Sequence, residues 1–436
     1  MRPSDREAGA FDVVEGRLSQ AGWPPNSRIA IIMATMAVVL DGFDNQLLGI
    51  IIPAIMKNWS VGRDAFAPVA AGSLIGMCVG TALAGPLGDR LGRRPMLIAS
   101  VLFFGVGTLL CAAAPNVLMF GVLRTLAALG LGGAMPIATA LLAESAPSHR
   151  RSLIVTLGIV GVPIGGFLAG TFGAWMIPQF GWQTLVIVGG LLPLVAGALM
   201  WRFLAEPSVK ADTLHAEART DRNVGIFHRD FARDTVTLWT AFFSCLLAVY
   251  AIANWLPTLM AEMGFGLGIA SAGLAAFNFG GIFGAFLGAV TMDRRGSRLP
   301  LAVAAVMGVA ATIAVATLIT SAASDAVIVA SLAIQGFFVT GLQIMLFALA
   351  ASVYPAVIRA TGVGAALAVG RLGGLTSALG GPAMLNSGSA TFLFIVTGAV
   401  AVCGASLLLL RRHIPAPVRS SHVSERRELV RERRSA

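Results

Sequence analysis

Charge is what this 436-residue sequence has least of: 12% of its residues are charged against 56% hydrophobic, about half the charged fraction of an ordinary soluble domain. That excludes a cytosolic enzyme. Histidine is scarce too, and all five, His149, His215, His228, His413 and His422, fall outside the long apolar stretches. Haem or zinc chemistry with histidine ligands inside a membrane is therefore not expected. The four cysteines, Cys78, Cys111, Cys245 and Cys403, sit one to a stretch and carry neither a redox nor a metal reading. No GxxxxGK[ST] loop, nucleophile elbow or zinc-protease helix occurs. ATP therefore does not drive the protein directly, no enzymatic activity is expected and no cofactor is implied. The ten-residue alternation of a membrane β-barrel is absent as well.

Glycine is abundant, 51 of 436 residues, well above the roughly 7% of soluble proteins, as in membrane helices whose backbones pack closely. A helix needs about 20 apolar residues to cross roughly 30 Å of hydrocarbon. The sequence offers twelve such stretches, at 29–56, 68–88, 96–114, 118–142, 153–175, 184–204, 236–261, 269–292, 301–320, 326–353, 362–385 and 391–410. The expected fold class is an all-α polytopic membrane protein. Lys and Arg collect on the cytoplasmic side of short loops. Of the 31 basic residues, 27 lie in the two ends and the even-numbered connections; Lys57 and Arg63 lie on the other side, and Arg124 and Arg371 lie within stretches. Both termini are therefore expected on the cytoplasmic side of the inner membrane. The formal charge of +10 is mostly this topology signal, with the Arg-rich end from Arg411 suited to anionic lipid headgroups rather than nucleic acid. The first stretch is too long for a signal-peptide core and eleven more follow, so no cleaved targeting segment is expected.

The longest polar run, 205–235, holds Lys210, Asp212, Glu217, Arg219, Asp221, Arg222, Arg229, Asp230, Arg233 and Asp234. It splits the stretches six and six. Asp89-Arg90-Leu91-Gly92-Arg93-Arg94 recurs 204 residues later as Asp293-Arg294-Arg295-Gly296-Ser297-Arg298, and Pro147 with Arg151 recurs 208 residues later as Pro355 with Arg359. Repeats at half the chain length point to a duplicated six-helix unit. The expected organisation is a tail 1–28, a first half 29–204, a linker 205–235, a second half 236–410 and a basic tail 411–436.

The run Gly85-Pro86-Leu87-Gly88-Asp89-Arg90-Leu91-Gly92-Arg93-Arg94 resembles the signature between the second and third spans of the major facilitator superfamily. The degraded copy at 293–298 sits where that superfamily places its second one. The resemblance covers the whole length and implies twelve helices in two pseudo-symmetric halves. Four further segments are together similar to the aromatic acid:proton symporter family. They are Asp41-Gly42-Phe43-Asp44; Arg124 with Gly130-Leu131-Gly132-Gly133-Ala134-Met135-Pro136 and Glu144; Asn254-Trp255-Leu256-Pro257-Thr258; and Gly370-Arg371-Leu372-Gly373. That likeness implies proton-coupled import of an aromatic carboxylate, hydroxybenzoate-like, by alternating access, as part of aromatic compound catabolism. The expected partners are that carboxylate, protons and the lipid bilayer, and the chain is expected to be monomeric.

A charge at mid-bilayer costs about 2.5 to 3.5 kcal/mol on insertion scales, so an intramembrane ionisable residue is a functional candidate by default. Those here are Asp41, Asp44, Arg124 and Arg371, with Glu144 at a stretch end. At about 1.5 Å per residue, Asp41 lies roughly 18 Å, Asp44 roughly 22 Å and Arg124 roughly 21 Å from the inner face. Asp44 and Arg124 thus share a depth. Asp41 and Asp44, three residues apart, project from one helix face. Two poorly solvated carboxylates so placed do not both carry charge cheaply, so the pair is expected to hold the coupling proton, with Arg124 pairing when the proton leaves. The competing expectation is a static ion pair fixing the first stretch against the fourth. At the corresponding positions the second half has Cys245 and Ala248, so proton chemistry is assigned to the first half. Arg371, roughly 13 Å into its stretch, is the candidate donor fork for a substrate carboxylate; the alternative is a pairing with backbone carbonyls. Phe43, Tyr250, Asn278 and Gln335 fall at depths suited to an aromatic ring and its hydroxyls, although helix packing is the competing role for each.

The loop signature is mechanical. Gly85 permits close helix approach, Gly92 a tight turn, and Asp89 accepts hydrogen bonds from arginines or a helix N-terminus. With Arg93, Glu144 and Asp293 it forms a candidate cytoplasmic gate, the competing reading being arginines that only set topology. In the fifth stretch, Gly158-Ile159-Val160-Gly161-Val162-Pro163-Ile164-Gly165-Gly166 partly resembles the Gly/Pro motif of proton antiporters but lacks its Gly-Pro adjacency. A proton antiporter exporting an amphipathic compound stays open as a second reading, and a non-transporting sensor of aromatic acids as a third.

Overall fold

A computed structural model of the protein describes residues 27–147, 151–205, 227–228, 231–321, 323–354 and 356–414. Among them are the helices α1 (Ser27–Trp59), α2 (Ala67–Leu91), α3 (Arg93–Cys111), α4 (Val117–Ser145), α5 (Arg151–Ile159), α6 (Gly161–Phe180) and α7 (Trp182–Phe203). These are followed by α8 (Ala232–Glu262), α9 (Leu267–Arg295), α10 (Arg298–Thr320), α11 (Asp325–Val353), α12 (Ala356–Asn386) and α13 (Ser389–Leu409). A 3₁₀ turn, Arg63–Phe66, joins α1 to α2. Twelve segments of the described residues are long and apolar enough to cross a membrane, α5 and α6 sharing one.

The two sets of six repeat one packing scheme. α2 packs on α4 as α9 packs on α11, α3 on α7 as α10 on α13, and α1 on α6 as α8 on α12. The sets meet along α1 and α8, α2 and α12, and α6 and α9, the last two seams being equivalent under the same relation. The repeated motif has a common backbone basis. Gly92 and Gly296 both take positive φ, 99° and 74°, where an L side chain is strained, and each reverses the chain between consecutive helices. At the α1–α8 seam a Cβ on Gly49 would overlap the Ala253 carbonyl, so this approach requires glycine.

Several helices run about a turn beyond their apolar stretches, α1 reaching Trp59 and α4 reaching Ser145, because backbone hydrogen bonding continues past the hydrocarbon until a stop residue intervenes. α8 begins at Ala232 rather than 236. Asp234, which looks like linker in the sequence, is buried and accepts the Arg411 N–H at 2.9 Å. The fifth stretch, expected as one helix over 153–175, is broken at Val160 and then continues to Phe180. Pro163 has no N–H for the Ile159 carbonyl, and the ladder resumes with Ile164 N–H to the Val160 carbonyl at 3.3 Å. Cys245 and Cys403, assigned to separate stretches, bring their free, buried thiols together between α8 and α13.

Candidate functional site

A cavity of ≈ 410 Å³ lies between the two sets of helices, within the roughly 300 to 1,000 Å³ typical of small-molecule sites. Met77, Phe277, Ile344 and Phe347 give it apolar walls, and Asp41, Asn45, Tyr250 and Arg371 converge on it. It extends past Pro136 and Thr139 of α4 and Val363 of α12, toward the helix ends on the side of the chain termini. On the opposite face Arg63, in the turn before α2, forms an ion pair with Glu262 at the end of α8, tying the first set of helices to the second.

The helical period of α1 sorts its polar residues. Asp41 and Asn45, four apart, both face the cavity. Asp41 is 3% exposed, and its Oδ1 has no hydrogen-bond partner among the described residues. Asp44 points into the first half. Its Oδ1 accepts from Thr108 Oγ1 and from Arg124 Nη1, each at 2.8 Å, and Arg124 Nη2 donates to the Asp44 backbone carbonyl at 2.6 Å. The pair is almost wholly buried, at 5% and 1% side-chain exposure. The two aspartates therefore differ in setting: Asp44 is ion-paired with Arg124, whereas Asp41 lies in the cavity wall with its Oδ1 unpartnered among the described residues. A recess of ≈ 20 Å³, room for about one water molecule, adjoins Arg124, Asn45 and Tyr250 and leads to Ser73 and Asn254.

Arg371 and Tyr250 are brought together by the packing of α8 on α12. Trp255 is fully buried and donates through Nε1 to the Ser377 carbonyl at 3.1 Å. Gly374 leaves space that the Tyr250 ring fills. Tyr250 and Asn45 line the cavity together with Asp41 and Arg371, and the Arg371 charge acts on both Tyr250 and Asp41. Arg371 is half-buried and is held by no hydrogen bond or ion pair among the described residues. It is a free cation beside a free acid.

Of the residues proposed for the ring, Tyr250 and Asn278 line the cavity, whereas Phe43 and Gln335 do not. Phe43 is two residues from Asp41, about 200° around the helix, and is buried with its ring 6.3 Å from that of Phe172. Gln335 turns toward α10 and donates to Thr312 Oγ1 at 3.0 Å. Depth alone had suggested both; their angular positions remove them from the site. Of the gate residues, Arg93 Nε lies 3.4 Å from Glu144 Oε1, joining α3 to α4 within the first half. Asp293 is exposed at the end of α9. Gly85 lies in the helix α2, while the Asp89 side chain lies outside the described residues.

Other cavity residues went unpredicted: Asn45, Gln46, Thr340 and Gln343. Asn45 had a sequence signal, its spacing of four from Asp41; the rest are single polar residues whose facing only the packing decides. Thr108, the third member of the Asp44 cluster, and the Arg63–Glu262 pair were likewise invisible to local pattern.

Comparison with known proteins agrees with this architecture. The family model described as Major Facilitator Superfamily matches residues 34–330. The chain is 33% identical to the gallate transporter of Pseudomonas putida, over 92% of this chain and 96% of that protein. It is also 33% identical to the 4-hydroxybenzoate transporter of the same organism, over 88% and 93% respectively. Among solved structures, the D-xylose-proton symporter superposes with a TM-score of 0.71 at 19% identity, over 88% of this chain and 97% of that one, a likeness of fold. With twelve apolar membrane-length segments among its described residues, in two matching sets, this integral membrane protein belongs to the major facilitator superfamily.

Proposed function

We propose that the protein imports a hydroxybenzoate-like aromatic carboxylate together with protons, by alternating access, across the cytoplasmic membrane. The substrate class follows the gallate and 4-hydroxybenzoate transporters it resembles. The basic residues crowded on the termini face support cytoplasmic ends, and on that reading the cavity faces inward.

The observation that carries the coupling is the placement of Asp41 within the field of Arg371 on one cavity wall. A carboxylate substrate and the Asp41 carboxylate compete for one guanidinium. When Asp41 holds a proton, Arg371 is free to take the substrate through a charge-assisted fork. When the substrate leaves, Arg371 turns its charge on Asp41 and favours release of the proton. Asp44 and Arg124 hold α1 against α4 so that Asp41 keeps its position. The Arg63–Glu262 pair closes the far side while the cavity faces inward, and α2, Gly92 and the Arg93–Glu144 pair form the near-side gate. Moving one anion inward against about 100 mV costs roughly 2.3 kcal/mol, which one co-transported proton cancels, leaving the pH gradient to drive accumulation.

The test is external pH in a lightly buffered suspension of de-energised cells during addition of each of a panel of aromatic acids. Alkalinisation with hydroxylated benzoates, lost in Asp41→Asn, is expected. Acidification, or no change with any acid, overturns the import reading.

A further inference from the structure

The cavity has a second polar wall, separate from Arg371 and unused by the coupling just described. Asn278 of α9 donates through Nδ2 to the Leu274 carbonyl at 2.9 Å. A carbonyl only accepts, so this bond fixes the orientation of the Asn278 amide and leaves its Oδ1 to accept. Gln46 of α1 supplies that bond through Nε2, 3.4 Å away. The relay runs in one direction and ends in an acceptor, Gln46 Oε1. This atom is buried without a partner among the described residues, and so is Thr340 Oγ1. Both residues line the cavity, at 7% and 6% exposure. A buried acceptor left unmet is costly, so this wall suits a ligand group that donates. A second carboxylate, which only accepts, would meet repulsion at Gln46 Oε1, which cannot donate, whereas the Thr340 hydroxyl can donate or accept.

We infer that Gln46, aimed by Asn278, together with Thr340 accepts a hydrogen bond from a ring hydroxyl of a substrate whose carboxylate is held by Arg371, and so selects hydroxylated monocarboxylates over unsubstituted ones and over dicarboxylates. This rests on the carboxylate reading above. Asn278 is a positioning residue, acting through Gln46; the discrimination against a second carboxylate comes from the acceptor-only Gln46 Oε1, and the Thr340 hydroxyl adds a second site that can accept.

The experiment measures binding, not flux, so that coupling and direction of transport do not enter. Full-length protein in nanodiscs is titrated calorimetrically with 4-hydroxybenzoate, benzoate and terephthalate, for the wild type and for the near-isosteric Gln46→Met and Thr340→Val. The wild type is expected to bind 4-hydroxybenzoate more tightly than benzoate, with terephthalate weakest. Each variant should lose about two- to tenfold in affinity for 4-hydroxybenzoate while keeping its affinity for benzoate. Asn278→Leu should shift the same ratio in the same direction. Equal wild-type affinity for the two monocarboxylates, or a ratio unmoved in the variants, overturns the inference and leaves the transporter reading intact. Binding of none of the three compounds by wild type fails the carboxylate reading itself, and the inference with it. Should Gln46→Met not fold, Thr340→Val alone decides.

Discussion

Asp44 on α1 and Arg124 on α4 are joined by 2.8 Å contacts, and a 2.6 Å bond from the same guanidinium to the Asp44 backbone carbonyl completes the clamp. We propose that it is an anchor more than a switch. Breaking a buried pair by removing one partner costs about 3 to 5 kcal/mol, because the remaining charge is stranded. Asp44→Asn should therefore lower thermal stability in detergent sharply, and Asp44→Asn combined with Arg124→Gln should recover part of the loss. If the single variant melts like wild type, the anchor role is wrong.

Asp41 is expected to behave in the opposite way. Its Oδ1 has no hydrogen-bond partner among the described residues, and Arg371, the charge that acts on it, is only half-buried, so Asp41→Asn strands no fully buried counter-charge and should melt within about 1 kcal/mol of wild type. Its functional effect should be large: substrate counterflow between equal pH values persists, whereas accumulation driven by a pH gradient disappears. Normal gradient-driven accumulation in Asp41→Asn would remove the proton from this site.

Arg371 stands in the cavity without a hydrogen bond or ion pair among the described residues, a poor arrangement for a packing residue and a good one for a carboxylate. Lysine keeps the charge but not the planar fork. Arg371→Lys should weaken apparent affinity for the carboxylate by about tenfold, the scale of one charge-assisted bond, with little change in stability. Unchanged affinity in uptake assays counts against the contact.

These roles were legible in the sequence to different degrees, for reasons that lie in geometry. The three-residue spacing of Asp41 and Asp44 is independent of where α1 begins and puts them on one helix face by numbering alone, but the roughly 60° between them is enough to turn Asp41 to the cavity and Asp44 into the first half. Depth arithmetic put Asp44 level with Arg124, and the structure joins them. Depth carries no angle, however, and this is why Phe43 and Gln335, at suitable heights, face other helices. Gln46 and Thr340 lie on helices 232 and more residues from some of their neighbours across the cavity; Gln46 bonds Asn278 at that separation. Such pairings depend on how the two halves dock, which no local pattern encodes. Likewise Asp234 resembles its charged neighbours in the linker, and only the chain returning at Arg411 explains its burial.

The Arg63–Glu262 pair tests the alternating mechanism on the closed face. Its side chains are 23% and 33% exposed, so it contributes at the scale of a surface pair, about 0 to 1 kcal/mol. Glu262→Gln should shift the equilibrium modestly, up to about fivefold, toward opening on that face. The reporter is a cysteine at Ser73, beside the recess near Arg124, in a chain whose native cysteines are replaced by alanine, labelled from outside the cell by an impermeant maleimide. Labelling should rise in Glu262→Gln and return toward the starting level in the charge-swapped Arg63→Glu/Glu262→Arg. Equal rates in all three would mean that the pair does not hold the face shut.

The segment after α13 gives a pH-dependent prediction outside the membrane. Arg411 N–H binds Asp234, Ile414 N–H binds Ser297 Oγ at 2.9 Å, and His413 Nδ1 lies 3.1 Å from the same hydroxyl. Burial, with the neighbouring Arg298 charge adding to it, holds the His413 imidazole below its ordinary value of 6.5. A group whose folded-state value is depressed favours the folded arrangement when deprotonated. The contribution is therefore complete above about pH 6.5 and is lost as the pH falls below it through the lowered value. Acidification from pH 7.5 to 5.5 should free residues 411–414 from Ser297 and Asp234, seen as faster amide hydrogen exchange there after correction for intrinsic rates. His413→Gln, which cannot gain charge, should remove that pH response while leaving the Arg411–Asp234 bond in place. A response that persists in His413→Gln would overturn the assignment to His413.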